Sequence, residues 1–233
     1  MTKTNLQYIF IMLAMCFTCI ACDDDDDSID YTKYYSWRDQ NNVLTFNLLD
    51  DAKYLGQNAY FTDTINSLSE PYSVSTVYRC LEKANEDSLR KIGKWYTPFY
   101  TSTVKVHYTL YDSKSVWKRF EEYDVLYNQS KRNDATIMDR IFGIGYTPGM
   151  PGHEVKADTL ESYQVQTFTT TCDGVIKGWQ DCLQNMHIGD NWLIAVPWYL
   201  GYGQAGSGSK IGPYTNLYFR IKLVDITSLG DNK

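Results

Sequence analysis

In TVKVHYTLY, residues 103–111, apolar and polar positions alternate: Val104, Val106, Tyr108 and Leu110 fall on one side of an extended chain, Lys105, His107 and Thr109 on the other. Successive side chains of a strand point to opposite faces, so a period of two predicts a half-buried β-strand. The same period recurs near the C-terminus in NLYFRIKLVDI, with Leu217, Phe219, Ile221 and Leu223 inward and Arg220 and Lys222 outward, and earlier in Val74, Thr76, Tyr78 and Cys80. YQVQTFTTT, from Tyr163, reads as a further strand, and Asn191–Val196 as one stopped by Pro197, whose missing N–H cannot continue a ladder. Helical spacing shows in two places. Tyr34, Trp37, Leu44, Leu48 and Leu55 lie near one helical face, interrupted by Asn41; Ile176, Trp179, Leu183 and Met186 share a face of Val175–Met186, with Gly189 and Asp190 as its exit. Asp63–Pro71 reads as a polar turn, Ser88–Tyr96 as a short helix or irregular segment ended by Pro98, and Gly201–Gly212 as a glycine-rich loop. The stretch 112–161 has weak periodicity and contains YTPGMPG, which reads as a loop.

From residue 103 the predicted order is strand, irregular insert, strand, short helix, strand, long loop, strand. Such an order implies an α+β fold, an antiparallel sheet wrapped around the short helix. The remaining segments give the expected organisation: 1–21 a signal peptide, 22–32 a tether, 33–98 an N-terminal extension of helix plus strand, and 99–229 the main domain, with an insert at about 113–160. An apolar run from Tyr8 to Ala21 follows one early lysine, and is short for a membrane span but right for a signal-peptide core. It ends in Cys19-Ile20-Ala21-Cys22, which resembles the lipobox of bacterial lipoproteins; that resemblance implies a lipid on Cys22 and a membrane anchor there. Asp23–Asp27 is a run of five like charges, a solvated tether. It is similar to the surface-export signal of some Gram-negative lipoproteins, so the expected location is the outer membrane, facing outward, with a periplasmic-facing anchor as the alternative.

Composition narrows the chemistry. The formal net charge is -6 with no basic block, which argues against nucleic acid as a partner. His107, His153 and His187 are scattered and no Cys-x-x-Cys occurs, so neither a metal nor a cofactor is expected. Without Cys22 and the signal peptide, three cysteines remain: Cys80, Cys172 and Cys182. An odd number allows one internal disulfide, for which Cys172 and Cys182 are placed, or three small buried thiols. What the chain has in quantity is aromatic surface: 20 tyrosines, 9 phenylalanines and 6 tryptophans.

The segments VKVHYT, VIKGWQDCLQNMHIGD, IAVPWYLGYGQAG and IGPYTNLYFRIKLVDI, in that order, resemble the strands, helix and loop of FKBP-type peptidyl-prolyl isomerases. The resemblance covers residues 103–112 and about 163–228. It implies an aromatic pocket with Trp179 as floor, Val175 and Ile176 as the wall where the helix begins, Tyr108 from the early strand, and Tyr202 offering a hydroxyl from the loop. Ile211 and Phe219 close the far side, the Ile176 N–H holds a substrate carbonyl, and Tyr214 adds a rim contact. Besides the extra segment, the chain departs from the family pattern at four places. Tyr-Thr-Gly becomes Tyr108-Thr109-Leu110. Ile-Pro-Pro becomes Ile211-Gly212-Pro213. A pocket aromatic falls at Gln166, with Phe168 beside it. The Phe-Asp strand has no clean match, with Leu160-Glu161-Ser162 or Tyr127-Asn128-Gln129-Ser130 in its place.

An aromatic site with few ionisable groups suits one reaction well. Rotation about an X-Pro bond is opposed by amide resonance, a barrier of about 18–20 kcal/mol, yet it breaks no covalent bond and needs no proton shuttle. The twisted amide is less charge-separated than the planar one, so an apolar enclosure disfavours the planar ground state relative to it. The resemblance therefore implies a peptidyl-prolyl cis-trans isomerase acting on proline-containing exported proteins. The alternative is an FKBP-like module that binds peptide or a partner protein with weak or no turnover.

Overall fold

The structure, a computed structural model, describes residues 30–53, 62–66, 75–124, 137–142 and 165–231. The expected signal peptide, Cys22, the acidic run, Leu55, YTPGMPG and both Phe-Asp candidates lie outside the described residues.

A 3-10 turn at Tyr31–Tyr34 leads into α1 (Tyr35–Asp51). There follow β1 (Thr62–Asn66), β2 (Ser75–Glu82), α2 (Glu86–Lys91), β3 (Thr103–Tyr111), α3 (Ser113–Asp124), α4 (Ile137–Ile141), β4 (Gln166–Thr171), α5 (Lys177–Leu183), β5 (Asn191–Val196) and β6 (Leu217–Ser228). The strands form one antiparallel sheet in the order β1-β2-β5-β6-β3-β4. The fold is thus α+β as the sequence implied. Among the described residues no helix is long and apolar enough to cross a membrane.

Alternation along the strands divides the side chains between two cores. Val104, Val106, Trp192, Ile194, Val196, Leu217, Phe219, Ile221 and Leu223 turn to the α5 side, around Trp179. Val77, Tyr111, Leu193, Ala195 and Tyr218 turn to the other side, where Leu44 and Leu48 of α1, Val116 and Phe120 of α3, and Met138 and Ile141 of α4 cover them. The central strand β5 is consequently buried at all six positions, and after Asn191 it reads as the continuous apolar run WLIAV. The edge strand β4 keeps a clean alternation, exposing Thr167, Thr169 and Thr171.

Four expectations need correction. Part of Asp63–Pro71 is strand: β1 pairs with β2, Ile65 opposite Thr76, as β-branched Thr62, Thr64 and Ile65 favour. The weakly periodic insert contains two helices. Asp112 caps α3 by accepting from the Ser115 N–H at 2.7 Å, and the Asp51 carboxylate accepts from the Ile137 N–H at the start of α4 at 2.6 Å. The polar face expected of β3 is only partly solvated, because Thr109 is buried. The helix expected over Val175–Met186 is shorter. Val175 and Ile176 are extended, and α5 runs Lys177–Leu183 before a tight turn in which Met186 N–H donates to the Leu183 carbonyl.

Candidate active site

The α5 helix is placed by its glycine. A β-carbon on Gly178 would come within 2.5 Å of Val196 Cγ1 and 3.0 Å of Thr76 Oγ1, so only glycine lets α5 lie this close to the sheet. That approach buries the neighbouring Trp179 to 3% exposure against β6 and β3. Three rings then meet edge to face. Trp179 and Phe219 lie 5.1 Å apart at 81°, Trp179 and Tyr108 5.3 Å apart at 79°, and Tyr108 and Phe219 6.4 Å apart at 62°. T-shaped contact at these distances suits the ring quadrupoles, worth about 0.5–1.5 kcal/mol per pair. Phe168 extends the group from β4, 6.3 Å from Tyr108 at 67°.

The sequence-predicted residues Tyr108, Phe168, Trp179, Val175, Ile176, Tyr202, Ile211 and Phe219 all belong to this cluster. Phe219 and Trp179 are its buried members; Tyr108, Phe168, Val175, Ile176, Tyr202 and Ile211 are half-buried and pack around them. Ile176 is the N-cap of α5, with φ -60° and ψ 151°, so its N–H stands outside the helical ladder. Burial alone pushes the Tyr108 hydroxyl above the ordinary tyrosine range, so it stays neutral at physiological pH. The Trp179 indole N–H is buried and has no hydrogen-bond partner among the described residues.

The Tyr202 loop is folded on itself. Gly206 N–H donates to the Tyr202 carbonyl at 3.2 Å, and Ser207 and Ile211 exchange two backbone bonds. Gly206 has φ 72°, and a β-carbon there would overlap the Ile211 carbonyl oxygen, so this bend also requires glycine.

Tyr214 lies apart from the Trp179 ring group. Only 5% exposed, it packs edge to face on Trp198, Tyr31 and Tyr35. Its ring is therefore turned to the N-terminal region and not offered at a rim. Tyr199 was missed by sequence reasoning, although it packs on the Trp179 cluster and burial raises its hydroxyl pKa; the only signal was its place in the Pro-Trp-Tyr run. Gln166 pairs with Tyr108 across β3 and β4, so one polar residue stands opposite an aromatic wall. Cys80, Cys172 and Cys182 are free, the last two fully buried. Burial, with the Asp173 charge secondary, pushes the Cys172 thiol up to about 12.

Comparison with known proteins gives this arrangement a family. A model of the FKBP-type peptidyl-prolyl cis-trans isomerase family matches residues 146–224. The chain is 42% identical over 59 residues to the macrophage infectivity potentiator of Trypanosoma cruzi, covering 25% of this chain and 30% of that protein. It is 42% identical over 52 residues, 22% of each chain, to a Legionella longbeachae protein named outer membrane protein MIP. To the FK506-binding protein of Neisseria meningitidis it is 32% identical over 83 residues, 36% of this chain and 76% of that one. The chain belongs to the FKBP-type peptidyl-prolyl cis-trans isomerase family. The family match begins inside the segment read as an insert and contains every residue of the Trp179 ring cluster named above except Tyr108. The chain spans less than a third of the length of the trypanosomal and legionellal relatives.

Proposed function

We propose that this protein isomerises X-Pro bonds of exported polypeptides over the indole of Trp179. The observation that carries the reading is the ring group: Tyr108 and Phe219 stand edge-on to Trp179 at 5.3 and 5.1 Å, an apolar enclosure bordered by the Tyr202 loop and the N-cap of α5. A prolyl ring seated there leaves water while its flanking carbonyls meet the Tyr202 hydroxyl and the Ile176 N–H. The planar amide, with the larger charge separation, loses solvation, and the twisted amide loses less. Holding the flanking atoms still while the bond turns supplies the rest. A protease-coupled assay on an X-Pro tetrapeptide tests the proposal. We expect turnover above background, reduced about tenfold by Tyr202→Phe, the loss of one hydrogen bond worth about 1.4 kcal/mol. A folded sample that leaves the uncatalysed rate unchanged sinks the proposal.

A second reading, peptide binding without turnover, is favoured by Gln166 opposite Tyr108, where a polar side chain wets one wall. Quenching of tryptophan fluorescence by a proline peptide, with no rate enhancement, would establish it. We also read Cys22 as the lipid attachment site and the chain as an outer-membrane protein facing outward. The support is the apolar run ending in Cys22 and the acidic run after it. Cys22→Ala should abolish incorporation of labelled palmitate in cells and release the protein from the membrane fraction; retention of label would refute the assignment.

A further inference from the structure

The Tyr202 loop, from Pro197 to Asn216, crosses from one face of the sheet toward the other, and both its ends are tied to α1. At the entry, Trp198 Nε1 donates to Asn42 Oδ1 at 2.8 Å and Trp198 N–H donates to Asn216 Oδ1 at 2.8 Å. At the exit, Asn216 N–H donates to Asn41 Oδ1 at 3.1 Å, and Asn216 Nδ2 donates to the Asn41 carbonyl and to Thr45 Oγ1, each at 2.9 Å. Trp37 Nε1 donates to Thr215 Oγ1 at 2.9 Å. The insert joins the same point, because Ser113 Oγ donates to the Asn216 carbonyl at 2.6 Å.

Asn216 and Asn41 are each 2% exposed. A buried amide is tolerated only when its groups are satisfied, and a satisfied polar network fixes one geometry where an apolar contact would allow several. The network reaches Tyr202 in one step. Gly203 N–H donates to the Trp198 carbonyl at 2.8 Å, and Tyr214 N–H donates to the Gly203 carbonyl at 3.1 Å. The residue after Tyr202 is thus bonded to both ends of the loop. Tyr214 itself is held at φ 54°, a left-handed conformation that a bulky residue keeps only when its surroundings impose it. Those surroundings are Trp198 and the N-terminal residues Tyr31 and Tyr35, with the Arg38 guanidinium 5.9 Å from the ring centre.

We infer that Asn216, Asn41, Asn42 and Trp37 are positioning residues for Tyr202, which makes α1 a working part of the isomerase site although it packs on the face away from Trp179. The inference rests on the isomerase reading for what Tyr202 does, and not for how Tyr202 is held. The test uses the full chain carrying Trp37→Phe and Asn42→Ala, two changes that leave Asn216 and the apolar core intact. Amide exchange at Gly203 and Tyr214 should quicken by roughly tenfold, the loss expected for two part-exposed hydrogen bonds at the weak end of their range. kcat/KM on an X-Pro peptide should fall by a similar factor in the parent chain but not on a Tyr202→Phe background, where no hydroxyl remains to be placed. Asn42→Asp, which keeps the acceptor for Trp198, should restore the parent values when Trp37 is intact. Unchanged exchange at both amides overturns the inference, as does an equal loss of rate on the two backgrounds. A parent chain without turnover overturns the isomerase reading alone, and exchange then decides the positioning role by itself.

Discussion

The two faces of the sheet are built to different rules. On the α5 face, half-buried aromatic residues pack around the buried Trp179 and Phe219, which meet each other and Tyr108 edge to face, while the buried Trp192 stacks on Tyr78. On the α1 face, Leu44, Leu48, Val116, Met138, Ile141 and Tyr218 are nearly fully buried, and polar groups are stitched through them. Arg79 and Asp139 form a buried ion pair at 2.7 Å between β2 and α4, and Asn216 gathers α1, α3 and the Tyr202 loop. The difference is one of bonding: the α1 face is closed and cross-linked by polar groups, whereas the α5 face carries the ring group on which the proposed isomerase reading rests.

The sharpest way to break that division is through the ion pair. Arg79→Met leaves the Asp139 carboxylate in a site where its side chain is 0% exposed. Removing one partner of a buried pair costs about 3–5 kcal/mol. We expect a large fall in the urea midpoint, and recovery of much of it in Arg79→Met/Asp139→Leu, where no charge remains to be desolvated. A single variant as stable as the parent would show that the α1 face does not depend on this tie.

A smaller effect follows from groups buried neutral on both sides. Burial raises the thiols of Cys172 and Cys182 above their usual value of 9.0, the second well above it, and raises the Tyr218 hydroxyl. A folded-state pKa raised above the unfolded one contributes stability that is intact below the unfolded pKa and lost as pH climbs toward the folded one. Stability should therefore be flat below about pH 8 and decline from about pH 9 upward, a range set by the unfolded thiol pKa. Melting temperature against pH checks this, and Cys172→Ala/Cys182→Ala should make the alkaline decline shallower. An unaltered slope in that variant would assign the decline to other groups.

Which side of its element each ring occupies was legible in the chain from local periods, while their meeting in one group was implied by the resemblance to the FKBP family. Tyr108 and Phe219 follow from strand alternation, and Trp179 from helical spacing behind a glycine. The closed face was harder to read. In α3 the described apolar residues on the buried side are Val116 and Phe120, with Trp117 partly buried beside them, and the cluster they join also draws on α1, α4 and the sheet. Asn41 reads as a flaw in the stripe of α1. It is a contact, and the partner that explains it, Asn216, stands 175 positions away. Where a buried position is apolar, pattern reveals it; where it is polar, only the partner does.

The least effect is expected at Phe46, and it tests how sharply α1 separates inside from outside. Leu44 and Leu48 are 1% and 2% exposed, while Phe46, between them, is 71% exposed and Val43 49%. Two residues along a helix is about 200° of rotation, so a helix that buries Leu44 and Leu48 must turn Phe46 away. Phe46→Ser removes no contact with the Leu44 cluster, and surface substitutions of this kind usually change stability by less than about 0.5 kcal/mol. The urea midpoint should be unmoved and amide exchange at Gly203 unchanged, in contrast to the Trp37→Phe/Asn42→Ala variant, whose residues bond Thr215 and Trp198. A marked loss of stability from Phe46→Ser would mean that α1 is rotated from the position described, and with it every hydrogen bond from Asn41 and Thr45 to the Tyr202 loop.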